Sequence, residues 1–385
     1  MTASTVVLAL NAGSSSLKFG LFDVDGTACR ALMSGVIDAG AAMVARDENG
    51  RPLDVAAEVP ADAQAAVAAI ARLSREQQFK APDVVGHRFV HGGPRCRTHS
   101  LIDAEVTRAL QDAVAFAPLH APASLALLQA AQAHFADIPQ VACLDTAFHN
   151  TMPAVSRTLP LPPSLREQGI ERYGFHGLSC ESIVPQLGCG LPAKLVIAHL
   201  GHGASVTAVA NGRSVDTSMG LTPSGGVMMS TRTGDIDPGV LLYLMREGHA
   251  DASTLEALID QQSGLLGVSS ISGDMRRLRA AGSSTDARLA IAMFCYSVRK
   301  QIGAMAAVLG GIDLLVFTGG IGENDALARA DICARLDVFG IRDTDVPGSR
   351  ARVLPSQEDV QIARHARDLM LKAGDATVAS PSLSN

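Results

Sequence analysis

The sequence predicts an α/β protein built from two similar halves, and three observations carry that prediction. Residues 6–23, VVLALNAGSSSLKFGLFD, read as two apolar strands joined by a small polar tip. Residues 195–216, LVIAHLGHGASVTAVANGRSVD, repeat this layout, with Asn211-Gly212 where the first copy has Asp25-Gly26. A third glycine-rich turn, Thr318-Gly319-Gly320-Ile321-Gly322-Glu323-Asn324, follows an apolar strand at 313–317 and leads into a helix from Asp325. Strand, glycines and helix in that order are the general outline of a nucleotide-binding loop. At 385 residues the chain also exceeds what one core usually supports, so two domains are expected.

The first tip, with Asn11, Gly13, Ser14, Ser15, Ser16 and Lys18, offers closely spaced backbone N–H groups, hydroxyls, an amide and an ammonium. Such groups cradle phosphate oxygens. The spacing is not that of a P-loop, because no Gly-Lys-Ser/Thr follows four residues after a glycine. Taken alone, the segment is equally an ordinary Ser-rich hairpin turn.

Bulk composition narrows the partners. A net charge of −6 and a pI near 6.0 argue against nucleic acid or an anionic membrane as the main partner, so an anionic substrate must be met by locally placed cations. Seven cysteines without a C-x-x-C pair fit free thiols in a reducing compartment. The apolar stretch at 302–317 is broken by Asp313 and falls short of the roughly 20 residues a spanning helix needs. A cytoplasmic protein with no membrane segment is expected.

Further along, strands are expected at 31–37 and at 84–93, the latter ending in glycines, with a turn or hairpin in 38–60 and a helix at 61–73. Arg88 sits inside an apolar strand, where an unpaired charge is expensive; it is either an ion-pair member or an anion ligand. Its neighbours His87 and His91 read as core or rim histidines. Helices at 107–116 and 123–134 flank Pro118-Leu119-His120-Ala121-Pro122, which the two prolines should hold extended. The strand 141–144 delivers Asp145, a candidate for metal or acid/base work or for a helix N-cap.

Four prolines at 153–165 predict irregular backbone before Tyr173-Gly174-Phe175-His176-Gly177, a loop that positions a histidine. Residues 216–238 form a long Gly/Ser/Thr/Asp-rich loop carrying Arg232, and a loop of that length is usually functional. Helices follow at 240–246, 253–261, 275–280 and 286–308. A last helix is expected at 360–372, with a frayed tail beyond Gly374.

The strings NAGSSSLKF, GHRFVHGG, FAPLHAP, LDTAFH, YGFHG, HLGHGAS, TRTGDIDPG and GGIGEN, in this order from Asn11 onward, resemble the acetate kinase family. The match extends to Glu358 and so covers nearly the whole chain. The resemblance implies a two-domain, duplicated ribonuclease-H-like fold, shared with actin, sugar kinases and heat-shock ATPases, with a cleft between the domains. The first domain is expected at 1–147, rejoined by a C-terminal helix at 363–385; the second, nucleotide-binding domain is expected at 148–362.

The implied reaction is reversible, Mg²⁺-dependent (or Mn²⁺-dependent) phosphoryl transfer from ATP to acetate, giving ADP and acetyl phosphate. Phosphoryl transfer asks for positioning and cationic stabilisation more than for covalent chemistry. By the same resemblance, Arg88, Asp145, His176 and Arg232 are catalytic. The acetate site comprises Arg88, Val90, Leu119, His120, Phe175 and Pro223, and the metal is held by Asn11 and Glu358. ATP is contacted by Ser14, Ser16 and Lys18, by His199, Leu200, Gly201, His202 and Gly203, by Asp274, Met275 and Arg276, and by Gly320, Ile321, Gly322, Glu323 and Asn324. A homodimer is implied, with neither nucleic acid nor membrane as partner.

The chain departs from the family's usual strings at His202 and Ala121, where Asn is common, and at Cys180, where His is common. The His202 imidazole in place of an amide puts nucleotide affinity and pH profile in question. Propionate kinase is the alternative reading, and a non-catalytic ATP-binding regulator of the same fold is a further one.

Overall fold

The computed structural model describes residues 4–13, 16–344 and 346–378. Its chain divides into two compact units, residues 1–147 with 357–385 and residues 148–356.

In unit 1 a seven-stranded sheet is formed by β1 (Thr5–Ala12), β2 (Ser16–Asp25), β3 (Ala28–Asp38), β4 (Val44–Asp47), β5 (Val84–Phe89), β6 (Ser100–Leu101) and β7 (Gln140–Leu144), in the order β4-β3-β2-β1-β5-β7-β6. β1 to β4 form an antiparallel meander, whereas β5 runs parallel to β1 and β7 parallel to β5. In unit 2 the strands are β8 (Lys194–Leu200), β9 (Ala204–Ala210), β10 (Arg213–Thr217), β11 (Leu314–Thr318) and β12 (Ala351–Val353), in the order β10-β9-β8-β11-β12.

The two sheets share one plan. An antiparallel meander of three strands is extended by two strands parallel to the first: β3-β2-β1-β5-β7 in one unit and β10-β9-β8-β11-β12 in the other. The repeated hairpin in the sequence is therefore the start of a repeated sheet.

β1 is buried along its whole length, which explains its unbroken apolar run. Its alternate residues Val6, Leu8 and Leu10 join a core cluster with Phe19, Leu21, Met33, Val67 and Ile70, packed under the helix Ala63–Glu76. Val7, Ala9 and Asn11 point to the other face. There the helix Glu358–Val378 packs, and Gly86 of β5 is what lets it approach. A Cβ on Gly86 would come within 2.6 Å of Ile362 Cγ2. Two residues on, on the same face, stands Arg88.

Four local expectations are corrected. Residues 118–120 form a turn, and Pro122 lies in the first turn of the helix Ala121–His134, where its missing N–H costs nothing. The proline-rich 153–165 segment folds into short helices, Ala154–Arg157 and Pro163–Glu167. The expected loop at Gly320–Asn324 is a helical turn, Gly319–Asn324, on which Glu323 Oε1 accepts from the Gly319 N–H at 2.9 Å. The last helix runs on to Val378, and the chain re-enters unit 1 at Gln357 rather than at 363, because that helix starts at Glu358 and its first turn bonds to Asn11.

His87 is a buried core histidine. Its Nε2 lies 2.7 Å from Gln140 Oε1, and Gln140 Nε2 donates to the Ile138 carbonyl, so His87 carries its proton on Nε2. Nδ1 is buried without a hydrogen-bond partner, and burial lowers the pKa to about 4. The folded-state pKa lies below the unfolded value, so the stability from neutral His87 is complete above about pH 6.5 and is lost as the pH falls toward 4. The unfolding free energy from urea titrations should decline over that window by up to about 1.4 kcal/mol per pH unit for this group. His87→Gln should flatten the decline; an unchanged slope in that variant refutes the assignment.

Candidate active site

Unit 1 gathers one cation with three carboxylates. Arg88 donates from Nε and Nη2 to Asp145 Oδ2 at 3.0 and 2.6 Å, and from Nη1 to Asn11 Oδ1 at 3.2 Å. The Asn11 amide in turn donates to Glu358 Oε2 at 3.1 Å and Asp359 Oδ1 at 2.8 Å. Asp145 is fully buried at the end of β7, with its N–H on the Phe89 carbonyl, so it continues the parallel pairing of β5 and β7 by one residue. Burial opposes the Arg88 charge, but Asp145 and Glu358 outweigh it, and the guanidinium pKa is raised. Asp359 is pushed above the ordinary carboxylate range by burial and by Glu358, against the pull of Asn11, Lys18 and Arg88.

These oxygen donors suit a hard divalent cation. A carboxylate crowded by another and raised in pKa is what such an ion relieves, so Glu358 and Asp359, with the Asn11 amide bonded to both, fit a divalent-cation site. Asp359 was not foreseen from the sequence; its adjacency to Glu358 was the available signal. Lys18 lies opposite Asn11 in the β1–β2 register and is exposed. The Ser16 carbonyl accepts from the Gly13 N–H at 2.8 Å, and Ser14 lies outside the described residues. Val90 is buried beyond β5, Leu119 is exposed, and His120 is the N-cap of the helix Ala121–His134.

Unit 2 gathers the remaining residues around the β8–β9 tip. A Cβ on Gly203 would meet His176 Nε2 at 3.0 Å and Arg232 Nη1 at 3.4 Å, so both donors rest against that glycine. His176 Nδ1 is 3.0 Å from Ser205 Oγ. With the hydroxyl donating to Nδ1, Nε2 carries the proton and remains a donor toward the tip. The His176 ring stacks on His199, with centroids 4.2 Å apart, and His199 Nδ1 bonds to Ser179 Oγ.

Arg232 is buried, with Nη1 on the Pro223 carbonyl at 3.2 Å. Its loop is held from behind by Gly264 (φ +61°), where a Cβ would come within 2.2 Å of the Met229 carbonyl oxygen. Phe175 is buried, and Leu200 belongs to the core of β8.

Beside the tip lies a cavity of about 860 Å³ lined by Gly201, His202, Asp274, Met275, Arg276, Gly320, Ile321 and Asn324. Eight expected ATP contacts thus share one cavity of a size suited to a nucleotide. Gly322 and Glu323 do not line it. Glu323 Oε1 instead takes the N–H groups of Gly319 and Ser356, both at 2.9 Å, and so shapes the turn. Arg279 and Asp325, an ion pair at 2.8 Å, are wall residues that the sequence did not reveal. Burial and then Arg232 lower the His202 pKa, so that imidazole is neutral near pH 7. Cys180 is buried, with Sγ 3.6 Å from Thr207 Oγ1, and Ala121 opens the helix after His120.

Comparison with known proteins identifies the family. Residues 6–363 match the profile of the Acetokinase family. Acetate kinase of Deinococcus deserti is 43% identical over 384 residues, covering 96% of this chain and 92% of that protein. Among solved structures, Porphyromonas gingivalis acetate kinase superposes with a TM-score of 0.83 at 34% identity, and a propionate kinase from Francisella tularensis with 0.86 at 32%. Each covers 95% of this chain and 100% of the other. The sequence match over nearly the whole chain, the shared fold and the nucleotide-sized cavity lead to one conclusion: the chain belongs to the acetokinase family.

Proposed function

We propose that the chain catalyses direct, reversible transfer of the γ-phosphoryl group of ATP to acetate, giving ADP and acetyl phosphate. The observation that carries this reading is the convergence of His176 Nε2 and Arg232 Nη1 on Gly203, next to the 860 Å³ cavity. Two donors, one permanently cationic, set against a backbone with no side chain, suit the equatorial oxygens of a transferring phosphoryl group.

In this reading unit 2 holds ATP in the cavity and along the His199–Gly203 tip, while unit 1 supplies Lys18 and the serines of its own tip. Arg88 binds the acetate carboxylate with donor capacity beyond its Asp145 pair. Asp145 fixes the plane of that guanidinium. Toward the acyl group, unit 1 contributes Val90, Leu119 and His120, and unit 2 contributes Phe175 and Pro223. Asn11 and Glu358, with Asp359, would hold magnesium, which would supply neutralisation of phosphate charge.

A hydroxamate assay with ATP, Mg²⁺ and acetate tests the reaction; absence of acetyl phosphate refutes it. Similarity to the Francisella propionate kinase favours propionate as a second substrate. One methylene is worth only about 1–3 kcal/mol in an apolar pocket, so kcat/KM should fall from acetate to propionate to butyrate, and the reverse order would make propionate the substrate.

A homodimer is supported by the helix Pro238–Arg246, which exposes Val240, Leu242, Tyr243 and Met245. Light scattering on the purified chain reads its mass. A cytoplasmic location is supported by seven cysteines that are all free thiols, and among the described residues no helix is long and apolar enough to cross a membrane.

A further inference from the structure

His149 has no part in the chemistry above, yet it is buried in unit 2 with both ring nitrogens engaged. It lies on the turn Ala147–Thr151 that follows β7. Its Nε2 is 2.9 Å from the Phe175 carbonyl oxygen, and its Nδ1 is 2.9 Å from Ser214 Oγ on β10. A carbonyl oxygen only accepts, so Nε2 carries the proton and Nδ1 accepts from the serine hydroxyl. Burial lowers the His149 pKa to about 4, so this neutral tautomer persists at physiological pH.

The Phe175 carbonyl belongs to the peptide that leads into His176. Backbone on both sides of Phe175 is left-handed, with φ +75° at Gly174 and +58° at His176. A non-glycine residue stays in that region only where its surroundings hold it. His176 is the N-cap of the helix Gly177–Leu187 and makes no side-chain capping bond of its own, so the turn needs an outside anchor. The His149 ring also packs beneath the turn: a Cβ on Gly174 would lie 2.8 Å from His149 Cδ2 and 2.4 Å from Thr217 Cγ2.

We propose that His149 is a positioning residue for His176. Its Nε2–H fixes the Phe175–His176 peptide, and that peptide aims the His176 imidazole at the β8–β9 tip. The inference rests on the role given to His176 above and adds the element that sets its geometry. Ser205 holds Nδ1 of the His176 ring, and His149 holds the peptide from which that side chain projects.

The discriminating pair is His149→Gln and His149→Asn in the full chain. A glutamine amide nitrogen reaches the place of Nε2 and keeps the bond to Phe175; an asparagine amide reaches only the place of Nδ1. His149→Asn should lower kcat about 10–100-fold with KM for ATP within about twofold, and His149→Gln should return kcat to within about threefold of wild type. In ¹⁵N-histidine spectra, wild-type His149 should show the Nε2-protonated tautomer down to about pH 5, and the His176 Nδ1 signal should move in the asparagine variant but not in the glutamine variant.

Wild-type kcat in His149→Asn overturns the proposal, as does equal loss in both variants or an Nδ1-protonated wild-type tautomer. If the asparagine variant does not fold, Ser214→Ala, which frees the ring to rotate, should lower kcat with KM for ATP unchanged; an unaltered kcat there is equally fatal. Wild-type enzyme that forms no acetyl phosphate would instead remove the proposed function, so the two failures are distinguishable.

Discussion

Replacing Arg232 by alanine should lower kcat by about 10²–10³-fold, the usual cost of one preorganised donor aimed at developing charge. The guanidinium is buried and anchored on the Pro223 carbonyl, so its direction is set before substrate binds. The backbone that carries it is fastened independently: the N–H groups of Ser263, Leu265 and Leu266 donate to the carbonyls of Thr231, Met229 and Ser230. The loop should therefore survive loss of the side chain. Arg232→Lys keeps the charge but loses the fork, and should recover only part of the rate.

A second readout comes from His202, whose pKa is held down first by burial and then by Arg232. It should rise in Arg232→Ala when followed by histidine NMR. Near-wild-type turnover together with an unmoved His202 titration would remove Arg232 from the site.

Arg88→Ala should be damaging twice over. As the cation proposed for the acetate carboxylate, its loss should cost orders of magnitude in kcat/KM for acetate. It is also the ion-pair partner of Asp145, whose side chain is 1% exposed. Removing one member of a buried pair leaves an uncompensated charge and costs about 3–5 kcal/mol of stability. The sequence offered ion-pair member and anion ligand as alternatives; the structure places the residue in the ion pair, and the proposed function gives it the second role as well. The double variant Arg88→Ala/Asp145→Asn separates them. Stability should return toward wild type because the stranded charge is gone, whereas activity should not. Recovery of both, or of neither, contradicts this division.

Much of the fold was legible because it is local. A hairpin is written in a short stretch by apolar alternation and turn residues, and it occurs twice, so the repeated sheet could be anticipated from residues 6–23 and 195–216 alone. Gly201, Gly203 and Gly320 were visible because the close approach of backbone to phosphate proposed for them needs glycine, whatever the surrounding fold. The errors were also local in kind. Proline was read as a helix breaker at 118–122 and 153–165, but in a first helical turn its fixed φ and absent N–H are compatible with helix.

By itself the sequence determined the duplicated α/β plan, the family, and the residue types able to bind a carboxylate, phosphates and a cation. Tertiary structure alone decided which of them meet. Asn11 bonds to Glu358 and Asp359 across 347 and 348 positions. Likewise His149 reaches the carbonyl before His176, and Glu323 is spent on its own turn rather than on the cavity. The physical reason is that hydrogen-bond partners, left-handed backbone and buried-charge pairing depend on which distant segments pack together, and a single sequence records the groups without their distances.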